Sequence, residues 1–102
     1  MSVDLDVKRK TKTKAKVERP KLHKVILLND DYTPRHFVVR VLQAVFRIGE
    51  EHASRIMYTA HTRGACVVTV FPKDVAETKA TEANDLAKDA GHPLQFTTEP
   101  EE

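Results

Sequence analysis

The chain has 102 residues, 40% hydrophobic and 31% charged, enough apolar material for one modest core and too little length for two ordinary domains. A single cysteine excludes an internal disulfide and a cysteine zinc set, and no apolar run approaches the roughly 20 residues that span a bilayer. The net charge of +2 is unevenly placed: residues 1–21 hold eight Lys/Arg against three Asp/Glu, net +5, whereas residues 22–102 hold nine against twelve, net −3. The basic character therefore belongs to one end and does not mark the folded part as a nucleic-acid binder. No hydrophobic segment of a secretory signal opens the chain, and the lone thiol fits a reducing compartment, so the expected location is the cytoplasm.

Residues 1–21, with Lys10-Thr11-Lys12-Thr13-Lys14 and no aromatic, cannot bury enough apolar area to offset their ordering entropy and read as a flexible basic arm. The folded domain is expected over 22–102. Val25-Ile26-Leu27-Leu28 reads as a strand, ended by the polar turn Asn29-Asp30-Asp31. Thr33 and Pro34 form a helix start, the hydroxyl capping free N–H groups and the proline filling the first helical position. Phe37, Val38, Val41, Leu42, Val45 and Phe46 then recur at helical spacing, an amphipathic helix of about 13 residues that Gly49 should close. Glu50 and Glu51 open a second helix at the positive end of its dipole. Its apolar stripe is Ala53, Ile56, Met57 and Ala60, and Gly64 ends it. Ala65 to Phe71 is a β-branched second strand containing Cys66, whose apolar neighbours make it a small buried hydrophobe. Pro72 leads into a third helix with the stripe Ala76, Ala80, Ala83, Ala87 and Ala90, flanked by Val75 and Leu86. Gly91 and Pro93 stop it. Leu94 to Thr98 is a third short strand, and the acidic end Glu99-Pro100-Glu101-Glu102 should fray. The order β-α-α-β-α-β, without a repeat, predicts an α+β domain: a three-stranded antiparallel sheet with three helices on one face.

Catalytic chemistry finds little support in the residues. None of the five histidines (His23, His36, His52, His61 and His92) stands three or four residues from another on a helix, and no metal site is expected. Asp30 and Asp31 are adjacent in a turn before a helix, which suits turn chemistry better than two converging catalytic carboxylates. A Cys66–His61 nucleophilic pair is conceivable from proximity, but an activated thiolate wants an electropositive, partly exposed place and not an apolar strand. No glycine-rich phosphate loop is present. His61 stands on the edge of the second helix's apolar stripe. Periodicity alone allows a boundary histidine bonded to a neighbour, or a partner for the acceptors Asn29 and Asp31 just past the first strand.

Asn29-Asp30-Asp31-Tyr32-Thr33-Pro34, followed by Phe37-Val38 and Val41-Leu42, resembles the signature of the ClpS family. So do Val75-Ala76-Glu77-Thr78-Lys79 and His92-Pro93-Leu94, and the resemblance covers about residues 22–98. It implies an adaptor, not an enzyme, that needs no cofactor. Such an adaptor binds substrates with a free, bulky hydrophobic N-terminal residue (Leu, Phe, Tyr or Trp) and passes them to the ClpA unfoldase for degradation by ClpP. By the resemblance Asn29, Asp31 and His61 bind the α-amino group, Asp31 through water and His61 through a lone pair. Thr33, Val38, Met57, Ala60 and Leu94 are placed to line the side-chain pocket. Arg35 stands at the pocket rim where many family members have Met. It is expected to point to solvent or to fold its stem over the rim, altering selectivity. Asp74 and Lys79 match contacts to the N-terminal domain of the unfoldase, and the chain is expected to act as a monomer without nucleic acid or membrane. The rival readings are an RNA- or ribosome-associated protein acting through the basic arm, and a small hydrolase centred on His61 and Cys66.

Overall fold

The computed structural model describes residues 20–102, so nearly all of the expected arm at 1–21 lies outside the described residues. The elements are β1 (Leu22–Leu28), α1 (Arg35–Phe46), α2 (Glu50–Arg63), β2 (Ala65–Pro72), α3 (Lys73–Asp89) and β3 (Gln95–Pro100). This is the expected α+β order. β1 is the middle strand, antiparallel to β2 on one side and to β3 on the other.

Central placement explains why β1 is apolar on both faces. Val25 and Leu27 join the main core with Leu42, Val45 and Phe96. Ile26 points the other way by strand alternation. It is buried nonetheless, shielded by its cross-strand neighbours Val67 and Thr97. In β2 the register slips between Val25–Thr69 and Ile26–Val67, leaving Val68 as the extra residue of a bulge. The slip turns Val68 into the core.

Helical spacing places the core as expected. Val38, Val41, Leu42, Val45 and Phe46 are buried on α1, and Ala53, Ile56 and Ala60 on α2. On α3 the buried positions are Ala76, Ala80, Ala83 and Ala87, whose small side chains let the helix lie close on the sheet. Ala90, Val75 and Leu86 fall outside this stripe and are exposed.

Three boundaries differ from the sequence reading. Gly49 does not close α1. Arg47, left-handed at φ 58°, ends it with its amide donating to the Gln43 carbonyl, and Gly49 takes the N-cap of α2. Only residues 47–49 link α1 to α2, and ending α1 on a left-handed non-glycine residue costs about 1–2 kcal/mol. β1 begins at Leu22 because ladder bonding needs backbone and not apolar side chains; His23 and Lys24 pair with Phe71 and Val70. Finally, the acidic end does not fray from Glu99. Glu99 pairs with Lys24, Pro100 sits on an edge strand where a missing N–H is tolerated, and the Glu101 amide donates to Leu22 at 2.9 Å.

The outer edge of β3 is closed by a side chain that the sequence did not advertise. Asn84 of α3 accepts from the Phe96 amide at 2.7 Å and donates to its carbonyl at 3.1 Å. One amide group thus completes both backbone groups that no fourth strand would meet. Asn84→Ala is expected to cost about 2 kcal/mol, since two bonds vanish and part-buried partners remain. Urea unfolding of the variant measures this, and a loss below about 0.5 kcal/mol would make the clamp irrelevant.

Candidate functional site

The turn leaving β1 is organised by Asp30. Its Oδ1 accepts the amides of Tyr32 at 2.8 Å and Thr33 at 2.7 Å, and its Oδ2 accepts the Thr33 hydroxyl at 2.9 Å. The expected cap is absent: Pro34, which has no side-chain acceptor, occupies the N-cap of α1, and the Thr33 hydroxyl donates to Asp30 instead. Burial works to raise the Asp30 carboxyl, but the Thr33 and Tyr32 amides, the Thr33 hydroxyl and the field of His92 outweigh it and hold it below its ordinary 3.8. A depressed folded value means the carboxylate contributes stability above the unfolded pKa and loses it as pH falls through the folded value. Solvent screening keeps this contribution under about 1 kcal/mol. Asp30→Asn is accordingly expected to be slightly less stable than the native chain at pH 7 and equal to it in strong acid, as followed by urea midpoints. An equal deficit at both pH values would contradict this.

A backbone bond fixes the turn against α2. The Asn29 amide donates to the Gly64 carbonyl at 3.0 Å, and Gly64, at φ 95°, ends α2 with its amide on the Ala60 carbonyl. The end of β1, bearing Asn29 and Asp31, is thereby tied to the last turn of α2, bearing His61.

Between these segments lies one cavity of about 140 Å³, open to solvent. It gathers every residue assigned by resemblance to ligand binding: Asn29, Asp31, His61, Thr33, Arg35, Val38, Met57, Ala60 and Leu94. Val38, Ala60 and Leu94 are buried, Met57 is partly buried, and Arg35, Asp31 and His61 are exposed. The arrangement is an apolar floor beneath a rim of acceptors. Leu27, Leu28 and Asp30 also line it and went unassigned. The Asp-x-x-Thr spacing was the one signal that could have singled out Asp30.

Arg35 neither points freely to solvent nor merely covers the rim. One Nη lies 3.0 Å from Nε2 of His61. A guanidinium only donates, so Nε2 carries the lone pair and the ring proton sits on Nδ1.

Asp74 and Lys79 stand apart from this cavity on α3. Asp74 is exposed in the first turn, whereas Lys79 is half-buried and donates to the Val45 carbonyl at 3.1 Å, near the C-terminal end of α1. Cys66 departs from expectation in being partly, not fully, buried; it pairs across the ladder with Leu27 and lies beside the edge of the core. Burial pushes its thiol up, the opposite of what an activated nucleophile needs. Among the described residues no group of three His, Cys, Asp or Glu side chains could hold a metal ion. No helix among them is long and apolar enough to cross a membrane.

Fold and site together define a small recognition domain, with converging acceptors at the mouth of an apolar hole. Residues 18–97 match the family described as ATP-dependent Clp protease adaptor protein ClpS. The chain is 65% identical over 101 residues to the ATP-dependent Clp protease adapter protein ClpS 1 of Rhodopseudomonas palustris, covering 99% of this chain and 98% of that one. It is 63% identical over 98 residues to ClpS 2 of Agrobacterium fabrum, covering 96% and 95% of the two chains. A solved structure of Agrobacterium tumefaciens ClpS2 bound to L-phenylalaninamide superposes with a TM-score of 0.80 at 65% identity, covering 81% of this chain and 100% of that one. The chain belongs to the ClpS adaptor family.

Proposed function

We propose that this chain is a non-catalytic adaptor that captures proteins by a free N-terminal Leu, Phe, Tyr or Trp and delivers them to the ClpA unfoldase for degradation by ClpP. The observation that carries the reading is the cavity: nine residues assigned from the sequence surround a single hole, acceptors above and apolar groups below. Its volume of about 140 Å³ is close to that of an engineered apolar cavity of roughly 150 Å³ that takes up benzene, so a phenyl or isobutyl group is the right size. L-phenylalaninamide, the ligand of the 65% identical ClpS2, combines such a side chain with a free α-amino group.

In this reading the α-ammonium donates to the Asn29 side-chain oxygen and to Nε2 of His61, with Asp31 adding charge through water. The side chain enters among Thr33, Val38, Met57, Ala60 and Leu94. The ammonium bond needs the His61 lone pair, because a ring carrying protons on both nitrogens could only donate and would repel the ammonium. Asp74 and Lys79 would meet the N-terminal domain of the unfoldase; Lys79 keeps two donors after serving Val45. The adaptor would act in the cytoplasm as a monomer, with the basic arm taking part in handover. The rival readings have less behind them. The net basic charge is confined to residues 1–21 while residues 22–102 are net acidic, and the Cys66 thiol is tuned away from nucleophilic work.

The test is a set of peptides differing only in the first residue. Leu, Phe, Tyr and Trp peptides should bind and Ala, Gly and Glu peptides should not. Equal binding of all seven would sink the adaptor reading, while equal affinity among the first four would remove any role for Arg35 in choosing between them.

A further inference from the structure

The contact between Arg35 and His61 raises a question the adaptor reading leaves open. The lone pair that the adaptor reading gives to a peptide ammonium is taken by a guanidinium at 3.0 Å. The two donors cannot share it. Both are positive, and at that separation they would repel each other as well as compete for one acceptor. Arg35 must therefore leave His61 when a ligand enters.

Where it goes is limited by its position. Arg35 is the first residue of α1, exposed, and a member of the cavity rim. Its backbone is held on a rigid helix, so only the side chain can swing, and its charge stays at the mouth. The peptide chain leaves the mouth from the same α-carbon that bears the ammonium, and the second residue begins one Cα step of about 3.8 Å away. A displaced guanidinium thus faces the second residue of the ligand. Two other charged groups belong to the same rim, Asp30 and Asp31, and both would disfavour an acidic residue there. Arg35 opposes them. Of the three, Asp30 has both carboxylate oxygens engaged within its own turn, which blunts its reach.

Resting on the adaptor reading, we propose that Arg35 is a built-in competitor for the His61 acceptor and, once displaced, selects ligands with an acidic residue at the second position. It is a specificity-determining residue whose charge acts one residue beyond the pocket.

The experiment titrates the full chain and its Arg35→Met variant with fluorescent peptides starting Phe-Glu, Phe-Ala and Phe-Lys, otherwise identical, at low and moderate salt. The native chain should bind Phe-Glu about fivefold more tightly than Phe-Lys at low salt, with the ratio shrinking as salt is added. Arg35→Met should reverse that ratio, exposing the two aspartates, and should bind Phe-Ala severalfold more tightly because the internal competitor is gone. Arg35→Lys, which keeps the charge, should retain the preference for Phe-Glu. A Phe-Glu to Phe-Lys ratio that is the same in the native and Arg35→Met chains overturns the proposal, as does a weaker Phe-Ala complex in Arg35→Met. A native chain that binds none of the three peptides overturns the adaptor reading instead.

Discussion

Acetylating the N-terminus of a Phe-initiated peptide is expected to lower its affinity by about 100-fold or more. A buried Phe side chain contributes roughly 1.5–3 kcal/mol, which alone corresponds to a complex far weaker than micromolar. The remainder must come from the ammonium. Two hydrogen bonds to a charged donor are worth about 1.5–3 kcal/mol each, so removing them together costs roughly 3–5 kcal/mol after some rehydration. Acetylation also puts a methyl group where the rim offers Asn29, Asp31 and His61. Asn29→Ala should move in the same direction by about tenfold, because it deletes one of the two acceptors and leaves the cavity floor intact. Fluorescence anisotropy with free and acetylated peptides measures both effects. An acetylated peptide that binds within threefold of the free one would mean that the cavity is a plain apolar hole and that its polar rim is incidental.

Much of this arrangement was legible in the sequence, for identifiable reasons. Period-3.6 spacing of Val38, Val41, Leu42 and Val45 and the alanine stripe of α3 can be satisfied only by one helix face, so their burial followed. That these residues line one cavity was legible only through the family motifs. Val38, Met57 and Leu94 look like ordinary core to any periodicity argument, and only tertiary structure separates a wall of a cavity from its filling. What the sequence did not disclose depends on side-chain competition at short range. Thr33 caps nothing because α1 starts one residue later, with Pro34 at the N-cap, and its hydroxyl donates to Asp30 within the turn. Gly49 yields the end of α1 to Arg47 because the connection is short. Arg35 finds His61 across 26 positions of sequence, a contact that no local rule anticipates. Lys79 likewise reaches the end of α1, so a residue singled out for partner contact also serves the fold.

The second large effect lies in stability, at Phe96. This is the most voluminous of the fully buried side chains, and its ring lies 5.5 Å from that of Phe46. Truncation removes the transfer energy of an aromatic side chain and leaves a hole between sheet and helices, so Phe96→Ala should cost about 3–5 kcal/mol. A domain of this size holds only roughly 5–10 kcal/mol in total, which leaves the variant marginal. The same change loosens the site. Phe96 is two residues from Leu94 in the cavity wall, and Asn84 pins the Phe96 backbone to α3. Ligand binding and folding should therefore be linked. At 100 times the dissociation constant, a ligand specific for the folded state adds about 2.7 kcal/mol. Phe96→Ala should lose a large part of its melting temperature when empty and recover much of it with a saturating Phe-initiated peptide, but not with the acetylated one. A variant that melts within a few degrees of the native chain would show that the core does not depend on Phe96. Equal rescue by both peptides would show that stabilisation does not run through the rim of Asn29, Asp31 and His61.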